Sequence, residues 1–325
     1  MNHHSPALSE NAVTTKIWDN SKWRPSSKTA LSIAIPTYRD DPTDLLDGLN
    51  GCDEIERVEI IVYDDGSKRP DLINNMIEQG ELMRCAVRIV SAADNMGRAV
   101  ARNALLHHAR ADWVLLLDAD MSPDENDFIA KYLDQIADVD EPSLIVGGFS
   151  LRDAPTDKKY ALHRWQAARS ECLSAHERQK DPGRFVFTSN VVCHKDIFDR
   201  FHFDEEFAGW GWEDVDWGLR VAQSAPVMHI DNAATHMGLD TVNDLMSKYG
   251  ASGQNFNLIL QKHPDTIART PLAKAAFKLK RVPFKPMLKR MCQFVISETD
   301  WMPTTVKGIA LKIWRALVYA EAIND

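Results

Sequence analysis

The chain has 325 residues, 44% hydrophobic and 26% charged, the composition of a soluble globular protein with room for one large domain or two modest ones. Its formal net charge of −9 argues against a general nucleic-acid binder, which carries a basic face on a basic total. Five scattered cysteines, never spaced C-x-x-C, argue against a zinc site or disulfide framework and fit a reducing cytoplasm; nothing resembles a secretory leader or approaches the ~20 apolar residues of a membrane span.

Residues 1–28 are polar and aperiodic and read as a flexible arm, with Trp18 and Trp23 available to dock on the domain. "ALSIAIPTY" is a short apolar run stopped by Pro36, a buried strand. A polar helix follows near 42–51, then "VEIIVYDDGS", a second buried strand ending in acids and glycine. Residues 70–83 read as helix, "VRIVSA" as a third strand, and "MGRAVARNALLHHA" as a helix from the spacing of its Ala and Leu. "DWVLLLDAD" is a fourth strand, again ending in acids. This alternation predicts βαβ units and a parallel sheet, in which ligands bind at the carboxyl ends of the strands. Thr37, Asp64, Asp65, Asp118 and Asp120 all fall at such ends.

The second half is less regular. "SLIVGGFS" and "RFVFTSNVVCHK" read as further strands, with antiparallel pairing open to them, "GLRVAQSA" as a helix, and 242–262 as helical. The tail is basic, with eleven Lys/Arg against five Asp/Glu over 264–325. It ends in an amphipathic helix, "VKGIALKIWRALVYAEAI", predicted to share Val306, Ile309, Ile313 and Leu317 on one face. Two readings of the tail stand: a solvated face, or a dock for the anionic cytoplasmic membrane surface, peripheral on the inner membrane and suited to a lipid-linked acceptor.

Asp118 and Asp120 stand two apart at the end of an apolar strand, where two carboxylates repel unless a cation joins them. Oxygen ligands suit Mg²⁺ or Mn²⁺, ions that commonly bridge to a diphosphate. Each acidic string has a plainer reading as a turn. In combination and in order, "IPTY", "YDDGS", "NMGRAVARN" and "LDAD" resemble the nucleotide-sugar half of GT-A glycosyltransferases, specifically glycosyltransferase family 2, over roughly 30–125. The resemblance implies that Pro36, Thr37 and Tyr38 line the nucleotide and that Asp65 or Asp64 contacts a uracil base. It further implies that Arg102 lies by the base and phosphates, and that Asp118 and Asp120 hold the metal on the diphosphate.

"FDEEFAGWGWEDVDW" resembles the acceptor-side W-G-x-E-D motif of inverting galactosyltransferases and chondroitin-type transferases. That resemblance makes Asp214 the catalytic base, with Glu213 beside it, and assigns Asp216 to acceptor hydroxyls. Trp210 and Trp212 suit the apolar face of a sugar ring. The plainer reading makes Glu213 and Asp214 helix-capping acids and the tryptophans core. His236 in "NAATHMG" completes the metal shell by the same resemblance, with His229 a nearby competitor, and a carboxylate, imidazole and phosphate shell favours Mn²⁺ over Mg²⁺.

The expected fold is therefore α/β: a GT-A Rossmann-like mixed sheet flanked by helices over 29–263, with 29–125 the nucleotide-sugar half and 126–263 the acceptor half, and a basic helical extension over 264–325. The expected reaction is metal-dependent, inverting transfer from a UDP-sugar to a saccharide or lipid-linked saccharide hydroxyl, in exopolysaccharide, capsule or lipopolysaccharide assembly. Rivals are a non-catalytic nucleotide-sugar or carbohydrate-binding protein and a sugar-nucleotidyltransferase, although "IPTYRDD" lacks the glycine- and basic-rich loop of the latter.

Overall fold

The computed structural model of the chain describes residues 15–24, 28–297 and 301–323. In chain order its strands are β1 Thr15–Asp19, β2 Leu31–Thr37, β3 Val58–Asp64, β4 Ala86–Ala92, β5 Trp113–Leu117, β6 Met121–Pro123, β7 Leu144–Val146, β8 Phe149–Ser150, β9 Asn190–His194, β10 Val227–His229 and β11 Ala234–His236. Eight of them form one mixed sheet in the order β1-β4-β3-β2-β5-β9-β7-β10, and β6-β11-β8 form a small second sheet. The centre of the large sheet, β4-β3-β2-β5, is parallel, as the βαβ pattern predicts. β9 runs antiparallel between β5 and β7.

The sheet is covered on both faces, so its central strands read as continuous apolar runs rather than alternating ones. Every residue of β3 is buried. One face packs Ile33, Ile35, Ile60 and Val62 against Leu45, Leu49, Leu72 and Met76 of the helices Thr43–Asn50 and Pro70–Leu82. The other packs Ala34, Ile61 and Leu116 against Ala101 and Leu105 of the helix Arg98–Leu106. Each such buried Leu or Ile contributes roughly 1.5–3 kcal/mol. Glu59 is the exception inside β3: it is buried, accepts a hydrogen bond from Ser32 Oγ at 2.6 Å, and is neutralised by Arg110.

Residues 15–24, read from sequence as part of an arm, are built into the fold. β1 pairs antiparallel with β4, and the Asn20 side chain donates to the carbonyls of Gly80 (2.9 Å) and Cys85 (3.0 Å). Trp23 is buried beneath the guanidinium groups of Arg88 and Arg110, 4.3 and 4.1 Å from its ring. The rest of the expected arm, 1–14 and 25–27, lies outside the described residues. All five cysteines are free thiols.

The C-terminal helices include Val242–Ala251, Gly253–Lys262, Pro271–Lys280, Lys285–Ser297 and Thr304–Ala322. They build a third core around Tyr249, Phe256, Ile296, Trp314 and Tyr319, which also takes in Phe207 and Leu219. This core crosses the boundary read at 263. Of the four residues read as sharing a face of the last helix, Leu317 is buried with Leu311, Trp314 and Val318, whereas Val306, Ile309 and Ile313 are exposed. The helix is apolar around much of its circumference, so neighbouring side chains rather than periodicity select the packed stripe.

Candidate active site

β2 and β3 end together, with Thr37 paired to Asp64, and β5 ends at Leu117, immediately before Asp118. The antiparallel pairing of Leu117 with Asn190 brings Ser189 alongside, and its hydroxyl donates to Asp118 Oδ2 at 2.6 Å. Beyond the turn, β6 pairs with β11 so that His236 stands opposite Met121. This places His236 Nε2 3.2 Å from Asp120 Oδ2. Burial works to lower the His236 pKa, but the hydrogen bond and charge of Asp120 outweigh it and raise it above the ordinary value. Gly238 permits this approach: a Cβ there would lie 2.0 Å from Asp120 Oδ2.

The donor atoms of His236, Glu171 and His163 lie within 4.8 Å of one another. Burial raises the Glu171 carboxyl and pushes His163 down to about 4, which keeps that ring neutral. The backbone N–H of Asp240 donates to His163 Nδ1 at 2.7 Å, so the ring proton sits on Nε2. In that tautomer His163 has no ring lone pair free, so Glu171 and His236, with Asp120 3.2 Å from His236, are the groups that could hold a metal ion. Two carboxylates and an imidazole would suit a Mn²⁺ or Mg²⁺ ion.

Asp118 points elsewhere. Arg102 Nη2 donates to Asp118 Oδ1 at 3.0 Å, and Arg102 Nη1 donates to Glu213 Oε1 at 3.3 Å. Arg98, one helical turn earlier, spans the same two acids, 3.1 Å from Glu213 Oε1 and 3.6 Å from Asp118 Oδ2. Against the burial that would raise it, the two arginines and Ser189 hold the Asp118 carboxyl below its ordinary value. The Arg102 side chain is buried, so it ties acids together rather than facing base and phosphates as the resemblance implied. Arg98, by contrast, is 42% exposed.

The stretch "GWGWED" makes a strained turn. Gly209, Gly211 and Trp212 have φ of 78°, 90° and 79°, and for tryptophan this is a rare conformation held only by its surroundings. Asn255 Nδ2 donates to the carbonyls of Ala208 (2.9 Å) and Gly211 (3.0 Å). Trp212 Nε1 donates to the Tyr319 hydroxyl at 3.3 Å, and Trp210 packs edge-on against Tyr249. Both tryptophans are half-buried, with one side on the C-terminal core.

Glu213 and Asp214 open the helix Glu213–Val221. Burial and the adjacent Glu213 charge push the half-buried Asp214 up to about 7, against the lowering influence of Arg102 and Arg98. Asp216 does not fit its expected role. It is fully buried, with one oxygen 2.8 Å from His263 Nε2 and the other accepting from Arg220 Nε at 2.7 Å. A step of two residues along a helix turns a side chain to a different face, so Asp216 points into the core. His229, the competitor for the metal, is also engaged elsewhere, 3.0 Å from the Pro182 carbonyl.

On the nucleotide side, Tyr38 is exposed and Pro36 half-buried, while Thr37 is buried and donates to the Asp40 carbonyl at 2.6 Å. Asp64 accepts from Ser67 N and Ser91 Oγ. Asp65 accepts from Asn95 Nδ2 (2.8 Å), Met96 N (3.0 Å) and Gly97 N (2.9 Å). Both acids are buried, and residues 95–97 already occupy the Asp65 carboxylate. Arg98 stood in the quoted "NMGRAVARN" and Gly238 two residues beyond His236, but nothing in sequence singled them out. Glu171, His163, Ser189 and Tyr319 belong to no motif.

A family model for glycosyl transferase family 2 matches residues 32–201. The chain belongs to this family. The match contains Asp118 and Asp120 but ends before Glu213, Asp214 and His236. Among similar proteins, the hyaluronan synthase of Pasteurella multocida is 30% identical over 192 residues, which are 50% of this chain and 19% of that synthase. A chondroitin synthase of Escherichia coli is 26% identical over 287 residues, 78% of this chain and 41% of the relative. The chain thus spans well under half the length of these relatives. The mannosyltransferase PcManGT of Pyrobaculum calidifontis, solved with GDP-Man and Mn²⁺, superimposes with a TM-score of 0.58 at 16% identity, covering 91% of this chain and 88% of its own. This shared architecture is the GT-A fold.

Proposed function

We propose that the protein transfers a sugar from a UDP-sugar to a saccharide hydroxyl with inversion, assisted by a divalent cation, in the assembly of an exopolysaccharide, capsule or lipopolysaccharide glycan. The observation that carries this reading is the linkage of donor-side and acceptor-side acids: Arg98 and Arg102 join Asp118 at the end of the parallel sheet to Glu213 beside Asp214, while Asp120 meets His236. The UDP preference rests on the sequence resemblance, and the synthase relatives support a saccharide acceptor.

A cation held by Asp120, Glu171 and His236 would neutralise the leaving diphosphate. Arg98 adds a fixed positive charge at the opening. Asp214 takes the proton of the acceptor hydroxyl as its oxygen attacks the anomeric carbon, and a carboxyl with a pKa of about 7 suits that role. Trp210 and Trp212 offer their outer sides to the sugar ring and exclude water. With one base on the acceptor side, displacement is direct, and an α-linked donor gives a β-linked product.

The test is release of UDP from a panel of UDP-sugars, with Mn²⁺ or with a chelator. Metal-dependent release from one sugar supports the reading and names the donor. Absence of both turnover and UDP binding overturns it.

A further inference from the structure

The C-terminal helices carry a surface that the transfer reaction does not use. Between Asp265 and Glu298 the sequence holds eight Lys/Arg and no Asp or Glu, in a chain of net charge −9. Along the helix Lys285–Ser297, Cys292 and Ile296 are buried in the C-terminal core. Its other side presents Met287, Met291 and Phe294, spaced i, i+4, i+7 and 61%, 56% and 59% exposed, with Phe284 75% exposed in the turn before it. Trp301 is 79% exposed, and the unburied stripe Val306, Ile309 and Ile313 follows on the next helix. Large apolar side chains left in water in this number mark a contact surface.

We propose that this surface docks the protein on an anionic lipid bilayer. Met287, Met291 and Phe294 enter the boundary between headgroups and acyl chains, and the exposed Lys278, Arg281 and Arg290 meet the anionic headgroups. Charge decides the occupant. A two-fold contact with a second copy presses a face with an excess of Lys and Arg, whose acid Glu321 is already paired to Lys289, against itself. A nucleic acid satisfies the cations but leaves a Met and Phe stripe unmatched. Among the described residues no helix is long and apolar enough to cross a membrane, so the contact is peripheral. The excess negative charge of the remaining chain keeps the other faces away from an anionic surface.

The test is sedimentation of the full chain with vesicles of phosphatidylcholine alone and of an equimolar mixture with phosphatidylglycerol. The protein is expected to bind the mixed vesicles only, and less as salt rises. The triple variants Met287→Ser/Met291→Ser/Phe294→Ser and Lys278→Glu/Arg281→Glu/Arg290→Glu should each reduce partitioning more than ~10-fold with the melting temperature unchanged, because the replaced side chains are exposed. Failure of the native protein to bind anionic vesicles, or native-like binding by both variants, overturns the proposal. A dimer dissolved by the serine variant overturns it in favour of a second copy of the chain.

Discussion

Tyr319 accepts a hydrogen bond from Trp212 Nε1 at 3.3 Å across 107 residues of sequence. The same hydroxyl accepts from Arg315 Nε at 3.0 Å and lies 2.8 Å from Ser252 Oγ. The last helix therefore braces the strained turn that precedes Glu213 and Asp214. Tyr319→Phe removes the shared oxygen and leaves buried donors unmet, at about 1–3 kcal/mol. Its denaturant midpoint should fall and transfer should slow several-fold, with UDP affinity retained. A variant as active as the native protein would separate the helix from the site.

The two arginines differ in exposure and should differ in effect. Arg102→Met removes the buried partner of Asp118 and Glu213, leaving them to the more exposed Arg98 alone, and should destabilise the fold by roughly 3 kcal/mol, read in urea unfolding. Arg98→Gln should unfold near the native midpoint and instead raise the KM for the donor. The reverse pattern would put Arg102, not Arg98, against the diphosphate.

The donor side was legible in the sequence because an apolar run ending in acid is both a strand and its carboxyl end: β3 stops at Asp64 and β5 just before Asp118. The partners of those acids were not legible. Arg102 and Glu213 are 111 residues apart, and His163 and Glu171 stand in a stretch without motif or clear period. Asp216 shows the limit of a motif read as a string, since its neighbours open the helix while it turns inward to Arg220 and His263. The last helix shows the limit of periodicity: Ile309 and Ile313 share a stripe as predicted, yet Trp314 and Val318 found the partners.

Gly238 makes the Asp120–His236 contact testable without touching either residue. Gly238→Ala puts a methyl 2.0 Å from Asp120 Oδ2, which must move. Mn²⁺ affinity in the presence of UDP, followed by electron paramagnetic resonance, should fall at least ~10-fold. An unchanged affinity would place the metal elsewhere.

Asp214 links activity to stability with opposite signs. Its carboxyl sits at about 7 in the fold, against about 3.9 in the unfolded chain. Between those values the native state binds more protons, so this group's contribution is present at low pH and is lost as pH rises from about 4 to about 7. Asp214→Asn should therefore raise the urea midpoint near pH 8 and leave it unchanged near pH 4. Transfer by the native protein climbs through the same interval as the base loses its proton. A midpoint equally affected at both pH values would contradict the assignment.

The most direct measurement pairs the transfer rate of Asp214→Asn with its UDP affinity, in Mn²⁺ and with the donor identified by UDP release. The account predicts a kcat reduced by about 10³-fold, within the usual range for a lost general base, with UDP binding unchanged. Transfer within a few-fold of native would show that another group takes the acceptor proton.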